Sequence, residues 1–219
     1  MQILSINVSE PKKIMFNGKE LITSIYKKPI EGSVEVSEIG LKGDRQADMK
    51  VHGGYDKAVY AYSYKHYKTW SKKLDKDYQD FGLVGENLTI DDFNEKQINI
   101  GDELQIGNCI FQVSQPRIPC FKIGIKMNSR EFPKMFSQSC LLGAYLRVIK
   151  DGTISTNDEI IISKKEPNSL SIYQIAELIF KDINNIDKMK HALDLKYLTE
   201  EIKERFRERL MKLGDFGSL

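Results

Sequence analysis

One cysteine of this chain follows two prolines and is flanked by two cationic side chains. Cys120 lies in the segment QPRIPCFK, residues 115–122. Each proline fixes its own φ at about −65° and biases the residue before it toward extended backbone, so the thiol has a stiff support. A thiolate attacks electrophiles and binds soft metals, and the charges of Arg117 and Lys122 favour that form. The alternative is that Cys120 is a small buried hydrophobic residue, as most free cysteines are.

A second polar segment, GLKGDRQADMKVHGGYDK at residues 40–57, is too long for a tight hairpin. Long loops of this kind in a compact domain are usually functional or disordered. Glycines let backbone N–H groups approach an anion, and Lys or Arg supply the countercharge, so phosphate or a polar heterocycle is the expected ligand class. His52 in this segment is either an acid, base or hydrogen-bond donor, or a loop histidine of no special role.

The composition is that of a globular protein. Of 219 residues, 41% are hydrophobic and 29% are charged, and the formal net charge of +2 is too small for a protein that coats nucleic acid. No apolar run approaches the roughly 18 residues of a membrane span, and the N-terminus lacks the pattern of a signal peptide. The three cysteines include no Cys-x-x-Cys pair, which favours reduced thiols in the cytoplasm over disulfides or a structural zinc site.

Residues 1–165 predict a mainly β domain. Short β-rich runs alternate with turn residues such as Asn17-Gly18. The predicted strands are 2–8, 21–26, 33–39, 58–62, 87–90, 103–106, 110–114, 141–149 and 159–163. Many short strands at this spacing favour a barrel or sandwich, and an antiparallel barrel is the first choice. Two helices interrupt the strands: residues 64–74, whose aromatic stripe is typical of core, and a short one at 130–137 limited by Pro133.

Residues 166–219 predict a second, helical domain. The expected helices are 169–182, with Ser171 as a possible cap, then 187–195 and 199–213. Three short helices bury little on their own, so we expect them to pack on the barrel or on another subunit, which makes a homodimer reasonable. The basic residues of the third helix are most simply a solvated face, and partner binding is the alternative.

The usual enzyme signatures are absent from the sequence. It has no Gly-x-Gly-x-x-Gly, no Gly-x-x-x-x-Gly-Lys-Ser/Thr, no Gly-x-Ser-x-Gly and no His-Glu-x-x-His. A classical nucleotide-binding fold, a serine hydrolase and a zincin are therefore unsupported. With three histidines in the chain, a multi-histidine metal centre is not expected either.

Several short blocks occur together in one order. They are GLxGDxQAD at 40–48, HGGxDKAVY at 52–60, GENLT at 85–89, GD at 101–102 and QPRxPC at 115–120. In combination they resemble the MOSC domain family, most closely its YiiM-like branch, over about residues 20–165. The tail resembles the three-helix domain that follows MOSC in that branch. The resemblance implies a MOSC-type β-barrel with a few helices and a small C-terminal α-helical domain.

The resemblance also implies a function. It implies binding of the molybdenum cofactor (Mo-molybdopterin), a pyranopterin dithiolene with a phosphate, and a cysteine at the position of Cys120 that ligates molybdenum or carries sulfur. It further implies an oxidoreductase that reduces small N-hydroxylated compounds such as 6-hydroxylaminopurine, a detoxification of base analogues. The chemistry of the residues is consistent, because a soft thiolate suits molybdenum already bound by sulfur.

Roles for the other residues follow as hypotheses. Asn87 could orient the pterin or the substrate through its amide. His52 and Asp44 are the candidate proton donors for the departing nitrogen. The candidates for pairing with the cofactor phosphate are Arg45, Lys57, Arg117 and Lys122.

Partners and alternatives remain open at this point. Electrons would come from a separate flavin or iron–sulfur protein, because the chain has no motif for such a group. The larger sulfurase relatives have a pyridoxal-phosphate domain, and we expect none in a chain of this length. The second hypothesis is a binding module that holds the cofactor, or carries a persulfide on Cys120, without turnover. The third is a nucleic-acid-associated protein using the basic helix, which salt-dependent DNA binding would reveal.

Overall fold

The structure, a computed structural model, describes residues 1–47 and 53–215. None of the helices in this part of the chain is long and apolar enough to cross a membrane. The strands are β1 (Ile3–Val8), β2 (Lys12–Phe16), β3 (Lys19–Thr23), β4 (Lys28–Pro29), β5 (Ser33–Ser37), β6 (Gly40–Leu41), β7 (Val59–Ser63), β8 (Leu88–Ile90), β9 (Glu103–Ile106), β10 (Cys109–Pro116), β11 (Ala144–Lys150), β12 (Gly152–Ser155) and β13 (Ile160–Lys164). The helices are α1 (Lys65–Leu74), α2 (Phe121–Lys126), α3 (Phe132–Ser139), α4 (Ile172–Phe180), α5 (Ile186–Asp194) and α6 (Glu200–Lys212), with a short 3-10 helix at Tyr55–Lys57.

Eight strands form one large sheet in the order β13-β9-β10-β11-β7-β8-β1-β4. All its neighbouring pairs are antiparallel, as predicted, except β7 and β8, which run parallel. A parallel pair needs a crossover connection, and α1 lies in the segment that provides it. A three-stranded sheet, β12-β5-β6, and the β2–β3 hairpin complete the strands of the described residues.

The large sheet is not a closed barrel, which corrects the prediction. Its two edge strands are β13 and β4. The sheet curls until β1 meets the start of β13, where Gln2 and Glu159 form one isolated bridge and Ile160 N donates to Met1 O at 2.7 Å. Among the described residues, this contact does not continue into a ladder between β1 and β13. The other end of β1 pairs instead with β4, at Asn7 and Pro29.

Most predicted elements are present, and the errors have local causes. The turn signal at Asn17-Gly18 is confirmed: both residues have positive φ, 50° and 75°, and close the two-residue hairpin between β2 and β3. Strand β2 was not predicted because its sequence, KKIMF, is short and begins with two lysines. Helix α2 was not predicted because FKIGIK contains a glycine. Pro133 lies in the first turn of α3, as expected.

The aromatic stripe of α1 is core, as predicted. Tyr67 and Trp70 are buried, and the ring of Trp70 packs edge-on against Phe132 and Phe136 of α3. The indole N–H of Trp70 donates to the Tyr62 hydroxyl at 2.6 Å, so its polar atom is satisfied as well. This cluster packs against β7, the strand that carries Tyr60 into the site described below.

The three predicted C-terminal helices are α4, α5 and α6. Ser171 caps α4 in a capping box with Gln174, as expected. Buried residues such as Ile175 and Phe206 belong to the same hydrophobic core as Leu104 of the large sheet, so these helices pack on the sheet. The division into domains 1–165 and 166–219 stays a prediction.

Candidate functional site

A pocket opens where the end of β10, the start of α2 and the residues around 23–27, 46–47 and 85–87 meet. Its lining residues are Thr23, Ser24, Ile25, Lys27, Gln46, Ala47, Lys57, Tyr60, Gly85, Asn87, Arg117, Cys120, Lys122 and Tyr145. Five of the predicted site residues are among them: Lys57, Asn87, Arg117, Cys120 and Lys122. Gly85 allows the walls to approach, because its φ is +86° and a Cβ there would lie 2.7 Å from Ile25 Cγ1.

The pocket is electropositive. Four lining side chains are cationic, Lys27, Lys57, Arg117 and Lys122, and no Asp or Glu lines it in the described part of the chain. Converging cations in a partly enclosed cleft attract anions strongly, because the low-dielectric walls focus the field. The predicted ligand class, one with an anionic group, is therefore consistent with this geometry.

Cys120 is the thiol that a ligand in this pocket can reach. It is half-buried and forms the N-cap of α2, with an extended backbone (φ −114°, ψ 170°). Cys109 and Cys140 are buried in the core, and burial raises the pKa of each to about 11. Of the three cysteines, Cys120 is therefore the candidate nucleophile or soft-metal ligand.

Arg117 lies in the wall of the pocket with one donor unused. The residue is 5% exposed, its guanidinium carbon lies 4.8 Å from the centre of the Tyr60 ring, and Nη1 donates to the carbonyl of Val84. Its Nε is buried without a hydrogen-bond partner among the described residues, and the hydroxyl of Ser24, also in the lining, is in the same state. Buried polar atoms without partners are uncommon in folded proteins, so both atoms indicate a place for ligand acceptors.

Asn87 supports the pocket through its amide. Its Nδ2 donates to Asp44 Oδ2 at 2.9 Å and to the carbonyl of Asn7 at 3.2 Å. Its Oδ1 accepts the backbone N–H of Tyr60 at 3.0 Å. Both N–H donors of the amide are thus occupied by protein groups, so donating to a ligand would require it to break one of these bonds.

Asp44 lies behind the lining, not in it. Its side chain is 4% exposed, and it accepts hydrogen bonds from Ser9 N at 2.8 Å, from Asn87 and from the ammonium of Lys27, with which it forms a buried ion pair. Burial lowers the pKa of Lys27, and the charge of Asp44 opposes this effect. Asp44 therefore stabilises a cation that faces the pocket.

Lys57 and Lys122 come from distant parts of the sequence, and both line the pocket. Lys57 is the last residue of the polar segment and forms an ion pair with Glu201 of α6. Lys122 is in the first turn of α2 and donates to the carbonyl of Ile22 at 3.1 Å. Both cations are thus held in place by groups outside the pocket.

Besides Asp44, two more predicted residues are not placed in the pocket lining. The side chain of Arg45 is 76% exposed and lies 3.8 Å from the carboxylate of Glu10, and Arg45 is not part of the lining. His52 lies outside the residues that the structure describes. Pairing of Arg45 with a cofactor phosphate, as the sequence suggests, would require its side chain to move into the pocket.

Lys27, Ser24 and Tyr145 line the pocket and were not predicted. Nothing in the sequence marks them, since one lysine among 33 Lys and Arg residues carries no signal.

A further cation, Lys126, donates to the carbonyl of Ile25 at 2.9 Å, and burial lowers its pKa to about 8 against the opposing charge of Glu86.

No group of three or more His, Cys, Asp or Glu residues in the described part of the chain could hold a metal ion. Cys120 is the soft side chain that this pocket offers to a metal held within a cofactor. The pocket is consistent with such a group, because it pairs one accessible thiol with several cations.

Comparison with known proteins gives consistent results. The MOSC domain family model matches residues 48–161. The chain is 30% identical over 211 residues to the uncharacterized protein YflK of Bacillus subtilis (strain 168), which covers 96% of this chain and 95% of YflK. It is also 30% identical over 180 residues, 81% of this chain but 32% of the other, to a Gibberella moniliformis protein named "Reductase". The crystal structure of YiiM from Geobacillus stearothermophilus superposes with a TM-score of 0.81 at 30% identity, covering 95% of this chain and 98% of that one.

Proposed function

The chain belongs to the MOSC domain family, and on that premise we propose that its pocket binds the molybdenum cofactor and that the protein reduces N-hydroxylated compounds such as 6-hydroxylaminopurine. MOSC domains are generally associated with this cofactor. A relative named "Reductase" supports the direction of the reaction. The observation that carries the proposal is that one accessible thiol and four cations line the same pocket.

The residues present suit the cofactor chemically. Its phosphate needs cations and hydrogen-bond donors. The pocket offers Lys57 and Lys122, together with Arg117 Nε and the Ser24 hydroxyl, which have no partner among the described residues. Cys120 would hold the cofactor's metal, because a cysteine sulfur is a soft ligand that suits a metal already bound by sulfur. When bound, the cofactor supplies a two-electron redox centre.

Lys27 is the group that we propose as the proton donor to the departing nitrogen. It lines the pocket, and burial lowers its pKa, so its ammonium Nζ releases a proton more readily than an exposed lysine does. Asp44 pairs with Lys27 and favours its protonated form, so it acts through Lys27 and is a positioning residue. The assignment of His52 as a donor stays a prediction.

The remaining parts of the proposal concern partners. Electrons come from a separate protein of flavin or iron–sulfur type, as the sequence predicts. A homodimer and a location in the cytoplasm are consistent with the composition. A sulfur carrier with a persulfide on Cys120 would use the same pocket. The experiment below distinguishes that function from a reductase.

The proposal is tested by activity of the cofactor-loaded protein. The full chain is produced in a host that makes the cofactor, reduced chemically and mixed with 6-hydroxylaminopurine, and the amine product is measured by mass spectrometry. We expect turnover by the wild type, loss of turnover in Cys120→Ala and retention in the matched control Cys140→Ala. Full activity of a molybdenum-loaded Cys120→Ala would contradict the proposal. A loaded wild type without turnover would favour the binding or sulfur-carrier function.

A further inference from the structure

One cation of the pocket is paired with a residue of the C-terminal helices. Lys57 is 7% exposed, and its ammonium forms an ion pair with Glu201 Oε2. Glu201 lies in the first turn of α6, 144 residues further along the chain, and its side chain is 43% exposed. The family model that matches the chain ends at residue 161, so this partner comes from outside the matched segment.

The start of α6 is fixed to the strands that carry the pocket. The Thr199 hydroxyl does not cap the helix but donates to Gln115 Oε1 at 2.7 Å. Arg147 Nη1 donates to the carbonyl of Tyr197 at 2.9 Å. Gln115 lies two residues before Arg117, and Arg147 lies two residues after Tyr145. The carboxylate of Glu201 is therefore held at the pocket by the same strands, β10 and β11, that hold the ligand-facing residues.

Two ion pairs of the pocket cations, each formed between described residues, differ in kind. Asp44, the partner of Lys27, is almost fully buried and accepts two further hydrogen bonds, so it is fixed. The side chain of Glu201 is 43% exposed, so solvent has access to part of it. A partly solvated carboxylate leaves an ion pair at low cost, because water replaces the lost contact. Of the two acids that pair with lining cations in the described part of the chain, Glu201 is thus the one that an incoming anion can displace.

We infer that Glu201 is a specificity-determining residue of the pocket: it is the built-in counter-ion of Lys57, and an anionic group of the ligand must compete with it for that ammonium. A small inorganic anion gains few other contacts, so the competition weakens its binding. A larger ligand that also engages Arg117 and the thiol of Cys120 overcomes the same penalty. The inference rests on the proposed function only in that the ligand carries an anionic group.

The test is a calorimetric titration of the cofactor-free full chain with inorganic pyrophosphate. Glu201→Gln keeps the size of the side chain and removes its charge, so we expect pyrophosphate to bind about tenfold more tightly, as expected for removal of one nearby, partly screened charge. The matched control is Glu204→Gln, one turn further along α6, whose side chain is 56% exposed and pairs with Arg207. It should change the affinity less than about twofold. Glu201→Asp, which restores the charge, should return the affinity toward that of the wild type.

A second variant identifies the cation concerned. If Glu201 acts through Lys57, the gain disappears when Glu201→Gln is combined with Lys57→Met. Unchanged or weaker binding in Glu201→Gln, a gain that persists without Lys57, or no detectable binding to any variant would each overturn the inference. Because the titration uses no cofactor, a tighter Glu201→Gln together with a wild type that never binds molybdenum would support the inference and reject the proposed function.

Discussion

Asn87 offers the sharpest test of how the pocket is built. The sequence suggests that its amide orients a ligand, whereas the structure places that amide between Asp44, Asn7 and Tyr60. Replacement by alanine separates the two roles. A residue that only orients a ligand can be removed without loss of stability in the ligand-free protein, but a residue that joins three buried segments cannot.

The expected cost follows from the contacts. Asn87→Ala removes three hydrogen bonds from a residue that is 3% exposed. Each contributes about 1 kcal/mol net, and leaving the Tyr60 N–H without a partner adds a penalty of similar size, so the free energy of unfolding should fall by about 3–4 kcal/mol. For a chain of this size that corresponds to a melting temperature lower by roughly 10 °C.

The assay is urea unfolding of the cofactor-free protein, with thermal unfolding as a second readout. Asn87→Asp is the matched variant: it keeps the acceptor for Tyr60 but sets a carboxylate against Asp44. We expect it to be less stable than Asn87→Ala at pH 7, and the deficit should shrink as the pH falls and the carboxylates protonate. A ligand-free Asn87→Ala as stable as the wild type would refute this reasoning and restore the ligand-orienting role.

Three further predictions concern accessibility, charge and backbone. Iodoacetamide should alkylate Cys120 in the native protein and leave the other two cysteines unmodified until unfolding, as peptide mass spectrometry would show, because burial raises their pKa to about 11. For Lys126, burial lowers the folded-state pKa from 10.5 to about 8, so the unfolded chain binds more protons between these values and stability should rise across that pH window. The contribution is at most about 3 kcal/mol and should vanish from urea-unfolding profiles of Lys126→Met. Gly85→Ala should destabilise the protein by about 2 kcal/mol, which is more than the control Gly18→Ala. Both glycines have positive φ, but only at Gly85 would a Cβ lie 2.7 Å from Ile25. Equal melting temperatures of the two variants would argue against that contact.

The part of the site that lies close together in sequence was predictable. Cys120, Arg117 and Lys122 share one proline-stiffened segment, so their residue types and spacing were enough to place a thiol among cations. The helix pattern at residues 64–74 and the capping residue Ser171 were predictable for the same reason, because each depends on neighbours within one or two turns.

The features that the sequence could not place depend on contacts between distant segments. The amide of Asn87 contacts Asn7 and Asp44, which are 80 and 43 residues away. A closed barrel would need β1 to pair with β13. The sequence carries no signal that one end of β1 pairs with β4 instead. Lys27 lines the pocket and pairs with Asp44, which is 17 residues away in the sequence.

The most direct test of the central claim, that this pocket holds the molybdenum cofactor through Cys120, is the molybdenum-to-protein ratio measured by elemental mass spectrometry. Wild type and Cys120→Ala are purified from a host that makes the cofactor, with Cys140→Ala as the control. We expect near-stoichiometric metal in the wild type and the control and a clear fall in Cys120→Ala. A folded wild type without molybdenum, despite confirmed cofactor supply, or the same ratio in all three proteins, would contradict the claim.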